Sequence, residues 1–424
     1  MKVSFPLITL ILLCYLTGCG EKPSESKAGS TEDQVEIAAQ DTVQGEIAPE
    51  EGNVVQKRPG SVYYIKSKSG LDYFDSPKGE PLGKFAFNQT VYTTVYPDMP
   101  DQVVVGEDTL NGEWLGVERE SDTVYVFSGF LGSSKIFSDL ALYVASPFTV
   151  YQNQEFSGFV NVSESYGWAS EDDPPIIPEA KLGQDSLALS QKYKSRILAK
   201  AKISASDTVF IYNFVSDSVY VYPVNELSMA AYIDVYSKGD DDIDEYSYMV
   251  GFDLKREYKA PGMNFTYIGQ ENIFETGHVT PILWEPLADE RFPDQFKKNI
   301  TSHVRGWLQH ATPNESFKFS TDGLDYYIQN LVGESGRILR YMVIVESKTG
   351  EPVYHDVMYE TESLYLVSLN LKNEPDQYQY QWTGKVFKNK PAMVYGFRGN
   401  SFGCPSIKFI GTEPPIVILC DNRH

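Results

Sequence analysis

Short runs of β-branched and aromatic residues, separated by turn residues, follow one another from residue 62 to the end of the chain. Apolar and polar side chains alternate within many of these runs, and a period of two residues predicts half-buried β-strands. The aromatic content of 13% supports this, since aromatic residues are favoured in strands. Beyond residue 137 the predicted strands are 142–151, 208–214, 218–223, 230–236, 246–254, 317–319, 338–346, 353–359, 364–371, 378–382, 392–397, 407–410 and 416–419.

Two segments depart from this pattern, because their apolar residues recur every four positions on one predicted helix face. They are residues 185–201 and residues 287–311. The chain has 424 residues, enough for two or three domains of ~100–200 residues each. A change of composition near 259–264 marks a candidate boundary. We therefore expect a mainly β or α+β protein, with one or two antiparallel-sheet-rich α+β domains over residues 137–424.

The charge of the chain restricts its partners. It carries 36 Lys and Arg residues against 58 Asp and Glu residues, a formal net charge of −22. A surface of this sign repels phosphate backbones, so the sequence excludes nucleic acid as a partner. Hydrophobic residues make up 42% of the chain, which is enough to form buried cores and excludes general disorder.

The N-terminus has the features of an export signal. Lys2 precedes an apolar run over residues 5–16, which is shorter than the ~20 residues that a membrane-spanning helix needs. The run ends in Leu-Thr-Gly-Cys at residues 16–19, which resembles the lipobox of bacterial lipoproteins. The resemblance implies a signal peptide over residues 1–18, fatty acyl groups such as palmitate on Cys19, and a lipid anchor in the membrane of the bacterial cell envelope.

The segment after the signal is predicted to hold the folded part away from the lipid. Gly20 follows the acylated cysteine, where lipoproteins retained in the inner membrane often carry Asp, so the outer membrane is favoured, on its periplasmic or surface face. Residues 19–59 contain no aromatic residue and are rich in Ser, Glu, Gln, Ala, Gly and Pro. This composition predicts a disordered tether with an r.m.s. reach of roughly 35 Å.

Four cysteines occur in the chain, and Cys404 and Cys420 are the two that remain after processing and acylation. They would lie in a compartment where disulfides persist, and we expect them to pair. Two buried free thiols are the alternative. A closed metal site needs more ligands than two cysteines supply, so the sequence predicts no metal and no cofactor.

Five segments between residues 60 and 136 follow the order of a bacterial SH3 (SH3b) domain. They are 70–77 (GLDYFDSP), 81–85 (PLGKF), 89–92 (QTVY), 112–117 (GEWLGV) and 123–131 (TVYVFSGFL). These segments resemble the family's Gly-Leu-Asn-Val-Arg strand, Ser-Pro turn, Ile-Gly step, Thr-x-Val strand, Gly-x-Trp-x-x-Val strand and closing Gly-Tyr-Val. The departures are Asp-Tyr-Phe in place of Asn-Val-Arg, Val124 before Tyr125, and an acidic insertion at 97–111.

The resemblance implies a small SH3-like barrel that binds a cell-wall peptide, a glycan or a partner protein. Alternation along the strand 114–118 places Leu115 and Val117 on the core face and Trp114 on the opposite face. The predicted barrel core is Leu71, Leu82, Val91, Leu115, Val117, Val124 and Val126. The candidate ligand-binding residues are Trp114, Tyr125, Phe127 and Tyr73, and the side chains of Trp114, Tyr125 and Phe127 are predicted to point outward. The alternative is that Trp114 only caps the end of the barrel.

The sequence lacks the motifs of several cell-wall hydrolases. Neither remaining cysteine lies at a predicted helix start beside a partner histidine. His303 and His310 would be ~10.5 Å apart along a helix, too far to share a zinc ion. The acidic run 239–245 fails the EF-hand pattern and is predicted to be a solvated hairpin tip. A pair of carboxylates ~5–9 Å apart, as in glycoside hydrolases, stays open among 58 acidic residues.

These observations predict a non-catalytic, lipid-anchored protein of the bacterial envelope that binds peptidoglycan or an envelope protein through its SH3b-like module. The alternative is an envelope glycan hydrolase that uses two carboxylates in the C-terminal region. The predicted order is signal peptide 1–18, tether 19–59, SH3b-like barrel 60–136 and β-rich region 137–424.

Overall fold

The computed structural model describes most of the chain after the predicted tether. The described residues are 56–105, 108–119, 122–150, 155–166, 175–234, 236–237, 242–255, 258, 262–299, 307–308, 310–333, 336–373 and 380–422. The predicted signal peptide, Cys19 and the tether up to residue 55 lie outside this part, as do residues 239–241 of the acidic run. The predicted tether extends too far, because the first strand begins at Gln56.

The described chain is mainly β, as predicted, with antiparallel strand pairs and only short helices. Of the strands predicted from the sequence, 218–223 and 338–346 have the bounds that the structure shows. Residues 347–350 connect the paired strands Ile338–Glu346 and Pro352–Tyr359, and Gly350 adopts a φ of 72° there. Within the described ranges, no helix combines the length and the apolar character needed to cross a membrane.

The N-terminal part is one sheet of eight strands. They are Gln56–Ile65 (β1), Leu71–Phe74 (β2), Pro81–Phe85 (β3), Thr90–Tyr96 (β4), Pro100–Val105 (β5), Asp108–Arg119 (β6), Asp122–Phe127 (β7) and Leu131–Gly132 (β8). The hydrogen-bonded order is β3-β2-β7-β6-β4-β1-β8, and β5 pairs with β6. The barrel predicted from the SH3b resemblance is not closed among these strands, because β3 and β8 end the path and β8 pairs with β1 alone.

One face of this sheet carries an apolar core. Six of the seven predicted core residues belong to it, namely Leu71, Val91, Leu115, Val117, Val124 and Val126. The prediction is wrong for Leu82, which is 55% exposed, because β3 turns Phe85 inward instead. The acidic insertion extends the sheet as a two-stranded ribbon, in which Pro100 pairs with Glu113 and Val105 with Asp108.

The middle part contains two sheets that share one core. Its elements are Ala145–Val150 (β9), Glu155–Asn161 (β10), Ser163–Tyr166 (α1), Ser186–Leu189 (β11), Gln191–Lys200 (α2), Thr208–Asn213 (β12), Ser218–Pro223 (β13), Ser228–Ile233 (β14), Tyr248–Lys255 (β15) and Asn264–Gly269 (β16). The first sheet has the order β11-β14-β15-β10-β9 and the second the order β13-β12-β16. Short 3₁₀ helices lie at Glu179–Lys181 and Glu245–Ser247 in this part, and at Ser128–Phe130 between β7 and β8.

The helix predicted at 185–201 is wrong in its first turn. Ser186–Leu189 forms β11, where Leu187 and Leu189 are buried and their neighbours are exposed. This alternation with period two favours a strand, and β11 pairs with β14. The helix α2 begins at Gln191 and buries Ile197 against the shared core.

The C-terminal part contains two further sheets and a short ribbon. Its strands are Val279–Pro281 (β17), Glu285–Leu287 (β18), Thr312–Thr321 (β19), Leu324–Val332 (β20), Ile338–Glu346 (β21), Pro352–Tyr359 (β22), Leu364–Leu366 (β23), Trp382–Gly384 (β24), Met393–Tyr395 (β25), Arg398–Asn400 (β26), Ser406–Phe409 (β27) and Ile416–Val417 (β28). The orders are β17-β24-β25-β27-β28, β18-β19-β20-β21-β22 and β23-β26.

The helix predicted at 287–311 is not one element in the described residues. Leu287 ends β18, and the chain continues as two 3₁₀ helices, Asp289–Arg291 and Asp294–Asn299. Pro293 lies between them and has no amide hydrogen to continue a helix. The four-residue spacing of apolar side chains therefore did not reflect one continuous helix here.

The boundary predicted near 259–264 does not separate two sheets. The strand β16 begins at Asn264 and pairs along its length with β12. Alternate residues of β12 contribute to different cores: Val209 and Ile211 to one, Phe210 and Tyr212 to the other. The strand that follows the predicted boundary, β16, therefore belongs to the same sheet as β12 and β13, which precede the boundary.

Candidate functional site

The aromatic residues predicted to form an exposed groove are largely buried. Trp114, Phe127 and Tyr73 retain 5%, 3% and 6% of their exposure, and Tyr125 is half-buried. The predicted alternation is confirmed for Leu115, which belongs to the apolar core. The predicted exposure is wrong for Trp114 and Phe127, and Tyr73 belongs to the apolar core together with Leu115.

Trp114 is covered by the acidic insertion. Its indole N–H donates a hydrogen bond of 2.9 Å to Oδ2 of Asp101, which lies on β5. Its ring meets Phe74 edge-on at 5.3 Å and lies 6.3 Å from Phe127, measured between ring centroids. This geometry supports the structural role for Trp114 that the sequence left as the alternative.

The other sites suggested by the sequence form no metal centre in the described residues. Residues 242–245 of the acidic run are described, and Asp244 caps the 3₁₀ helix Glu245–Ser247 by accepting two backbone hydrogen bonds. His310 is exposed, and His303 lies outside the described residues. Cys404 and Cys420 are paired as a disulfide, with their Cα atoms 5.4 Å apart.

A cavity of about 230 Å³ lies where β21 and β22 of one sheet approach β25, β26 and β27. Alternation along β22 turns Tyr354, Asp356 and Met358 towards it. Its apolar lining consists of Met342, Met358, Leu364, Val394 and Phe397. Its polar lining includes Tyr354, Asp356, Tyr395, Arg398, Asn400, Ser406 and Lys408.

Three charged side chains meet in this cavity. Nη2 of Arg398 lies 3.3 Å from each carboxylate oxygen of Asp356, and Nζ of Lys408 lies 2.5 Å from Oδ2. Arg398 also donates to the backbone oxygen of Val357 at 2.8 Å. Both oxygens of the carboxylate are therefore engaged by cations.

The electrostatics of the cluster favour an ionised Asp356. Burial alone would raise the pKa of this carboxyl, but the charges of Arg398 and Lys408 and the hydrogen bond from Lys408 lower it to about 2. Burial lowers the pKa of Lys408 to about 7, with a contribution from the neighbouring Arg398 that Asp356 partly offsets. Lys135 acts on both groups as a further positive charge.

The cavity contains more hydrogen-bond donors than its own acceptors satisfy. Nε of Arg398 is buried and has no partner within the described residues. Burial raises the pKa of Tyr395 to about 12, and burial, followed by Asp356, raises the pKa of Tyr354, so both phenols stay protonated at neutral pH. Lys408 has three N–H groups and donates one of them to Asp356. The carboxylate that lines this cavity is engaged by two cations, whereas Nε of Arg398 has no partner among the described residues.

Comparison with known proteins found no matching family model, no similar curated protein and no similar solved structure. The functional argument therefore rests on the residues of the site itself.

Sequence reasoning missed this cavity. Asp356 lies 42 positions from Arg398 and 52 positions from Lys408, so the three residues share no local motif. The one local signal is Lys408, a cation between the buried residues Ile407 and Phe409. A charged residue between two buried residues predicts that its side of the strand faces solvent. Here the sheet that contains β22 covers this side of β27.

Proposed function

We propose that this protein is a non-catalytic binding protein anchored by lipid to the bacterial cell envelope, and that its ligand occupies the cavity around Asp356, Arg398 and Lys408. The observation that carries the proposal is the cavity itself, which combines an apolar wall with a charged cluster. Apolar walls with a few convergent polar groups are typical of small-molecule sites. The sequence signal at residues 16–19 supports the anchor.

The cavity supports a binding protein better than the SH3b-like aromatic cluster does. Trp114 and Phe127 are buried in their own sheet and offer little surface to a ligand. A binding contact there would first have to displace Asp101 from the indole of Trp114. Tyr125 is the one predicted contact that keeps a half-exposed ring.

The glycan hydrolase is less well supported at this cavity. Hydrolysis of a glycosidic bond uses two carboxyl groups, one of which must carry a proton as the general acid. Among the described residues that line the cavity, Asp356 is the only carboxylate. The pKa of Asp356 is lowered to about 2, so it carries no proton at neutral pH.

A retention experiment tests the proposal. The chain without its signal peptide and acyl groups is incubated with low-molecular-mass envelope extract, and retained molecules are identified by mass spectrometry after ultrafiltration. Asn400→Trp introduces a large ring at the cavity wall, and Tyr125→Ala alters the half-exposed aromatic surface of β7.

We expect retention by the unmodified chain and by Tyr125→Ala, and its loss in Asn400→Trp. Retention by Asn400→Trp together with its loss in Tyr125→Ala would instead indicate that the ligand binds the SH3b-like sheet. Retention of nothing by a correctly folded chain would contradict the binding proposal. Circular dichroism of each variant establishes that the fold is preserved.

A further inference from the structure

Building on the proposed function, we infer that the cavity binds a small organic anion that joins an acidic group, such as a carboxylate, to an apolar group. Positive charge, available hydrogen-bond donors and the shape of the wall each support this ligand class.

The first argument is the charge of the cluster. The charged groups that act on Lys408 are Arg398 and Lys135, which are positive, and Asp356, which is negative. These groups come from β22, β26 and the segment after β8, while Lys408 itself lies on β27. Cations outnumber the carboxylate, although the whole chain has a net charge of −22. A positive site in an acidic protein is favourable for an anion that most of the surface repels.

The second argument is the direction of hydrogen bonding. Asp356 already accepts from Arg398 and Lys408, so the cavity has little acceptor capacity left there. Nε of Arg398 is buried without a partner among the described residues, and a buried donor of this kind is costly unless a ligand or water satisfies it. The phenols of Tyr354 and Tyr395 are further donors. A ligand that supplies acceptors, as a carboxylate does, fits this set.

The third argument is the size and lining of the cavity. Its volume of about 230 Å³ is below the ~300–1,000 Å³ of sites for drug-sized ligands, so it suits a small molecule or the end of a longer one. Met342, Met358, Val394 and Phe397 form an apolar wall beside the charges. Inorganic ions leave such a wall without a partner, whereas an apolar group attached to the anion buries it.

Isothermal titration with benzoate and benzamide tests the inference. The two probes have nearly the same shape, but benzoate is an anion and benzamide is neutral. We expect saturable binding of benzoate and binding of benzamide that is roughly tenfold weaker or less, since loss of a charge-assisted pair at a partly buried site costs at least this much. Inorganic phosphate serves as the anion without an apolar group and should bind more weakly than benzoate.

Two variants connect the binding to the cluster. Lys408→Met keeps the length of the side chain and removes its charge, and we expect it to weaken benzoate at least roughly tenfold. Lys372→Met is the matched control, because Lys372 is a lysine that pairs with Glu285 on the exposed surface. The control should leave the affinity for benzoate unchanged.

A measurement on the unmodified chain covers the case in which Lys408→Met fails to fold. An anion beside Lys408 stabilises its protonated form, so benzoate should bind more tightly at pH 6 than at pH 9 and take up protons on binding. Equal affinities for benzoate and benzamide, absence of benzoate binding, or affinity that does not change with pH would each overturn the inference. A neutral molecule retained from the envelope extract would overturn it too, while the proposed binding function would stand.

Discussion

Trp114→Ala distinguishes a structural role for this residue from a binding role. Trp114 is 5% exposed, so its side chain buries ~200 Å². At ~25 cal/mol per Å², this area corresponds to ~5 kcal/mol, which is an upper value because the unfolded chain already buries part of it. The edge-on contact with Phe74 and the hydrogen bond to Asp101 contribute ~1 kcal/mol each. Partial collapse of the site offsets part of the loss, and we expect a decrease of ~3–5 kcal/mol in the free energy of unfolding.

The assay is guanidinium unfolding of the chain without its signal peptide, followed by circular dichroism. Tyr125→Ala is the control, because Tyr125 lies on the neighbouring strand and is only half-buried. It should cost clearly less than Trp114→Ala. A loss below ~1 kcal/mol for Trp114→Ala, together with weaker retention of envelope material, would refute the structural role and restore the groove predicted from the sequence.

Three further outcomes are expected. Cys19→Ala should move the protein from the membrane fraction to the soluble fraction, because the lipobox resemblance gives Cys19 as the acylated residue; equal membrane retention would contradict the anchor. Alkylation of the unreduced protein should label neither Cys404 nor Cys420, as intact mass would reveal; two labelled thiols would disprove the pair. Asp356 has its pKa lowered to about 2, so its stabilising contribution exists above the unfolded pKa near 4 and is lost as pH falls through 2. The stability difference between the unmodified chain and Asp356→Asn should therefore shrink by about 2 kcal/mol between pH 5 and pH 2, and a difference independent of pH would disprove the ion pairing.

The sequence predicted strands best where the pattern was local. The run 338–346 is apolar apart from Arg340 and Glu346 and is followed by a turn that Gly350 permits, and its bounds are those of β21. The helix prediction for 287–311 was wrong because it rested on the spacing of apolar residues and ignored Pro293, which interrupts a helix. The core prediction for Leu82 was wrong because the sequence of one strand does not reveal which of its residues the neighbouring strands cover.

The candidate site was not predictable in the same way. Arg398 and Lys408 approach Asp356 only because β22 and the strands β26 and β27 belong to different sheets that pack together. Taken singly in the sequence, Asp356, Arg398 and Lys408 each resemble an ordinary polar residue on a half-exposed strand. Trp114 shows the same limit, because alternation correctly gave its face but not the ribbon from β5 that covers it.

The strand β12 contributes side chains to two cores and should therefore couple their unfolding. Since Val209 and Ile211 support one core and Phe210 and Tyr212 the other, a rupture of either core removes half of the packing that holds β12 in place. Cutting the polypeptide between β15 and β16 would separate β16 from the strand that pairs with it. The core that contains Phe210 and Tyr212 also includes Trp382 and Phe409 of the C-terminal part. The middle and C-terminal parts should therefore melt in one cooperative transition, and neither part expressed alone should keep a complete core.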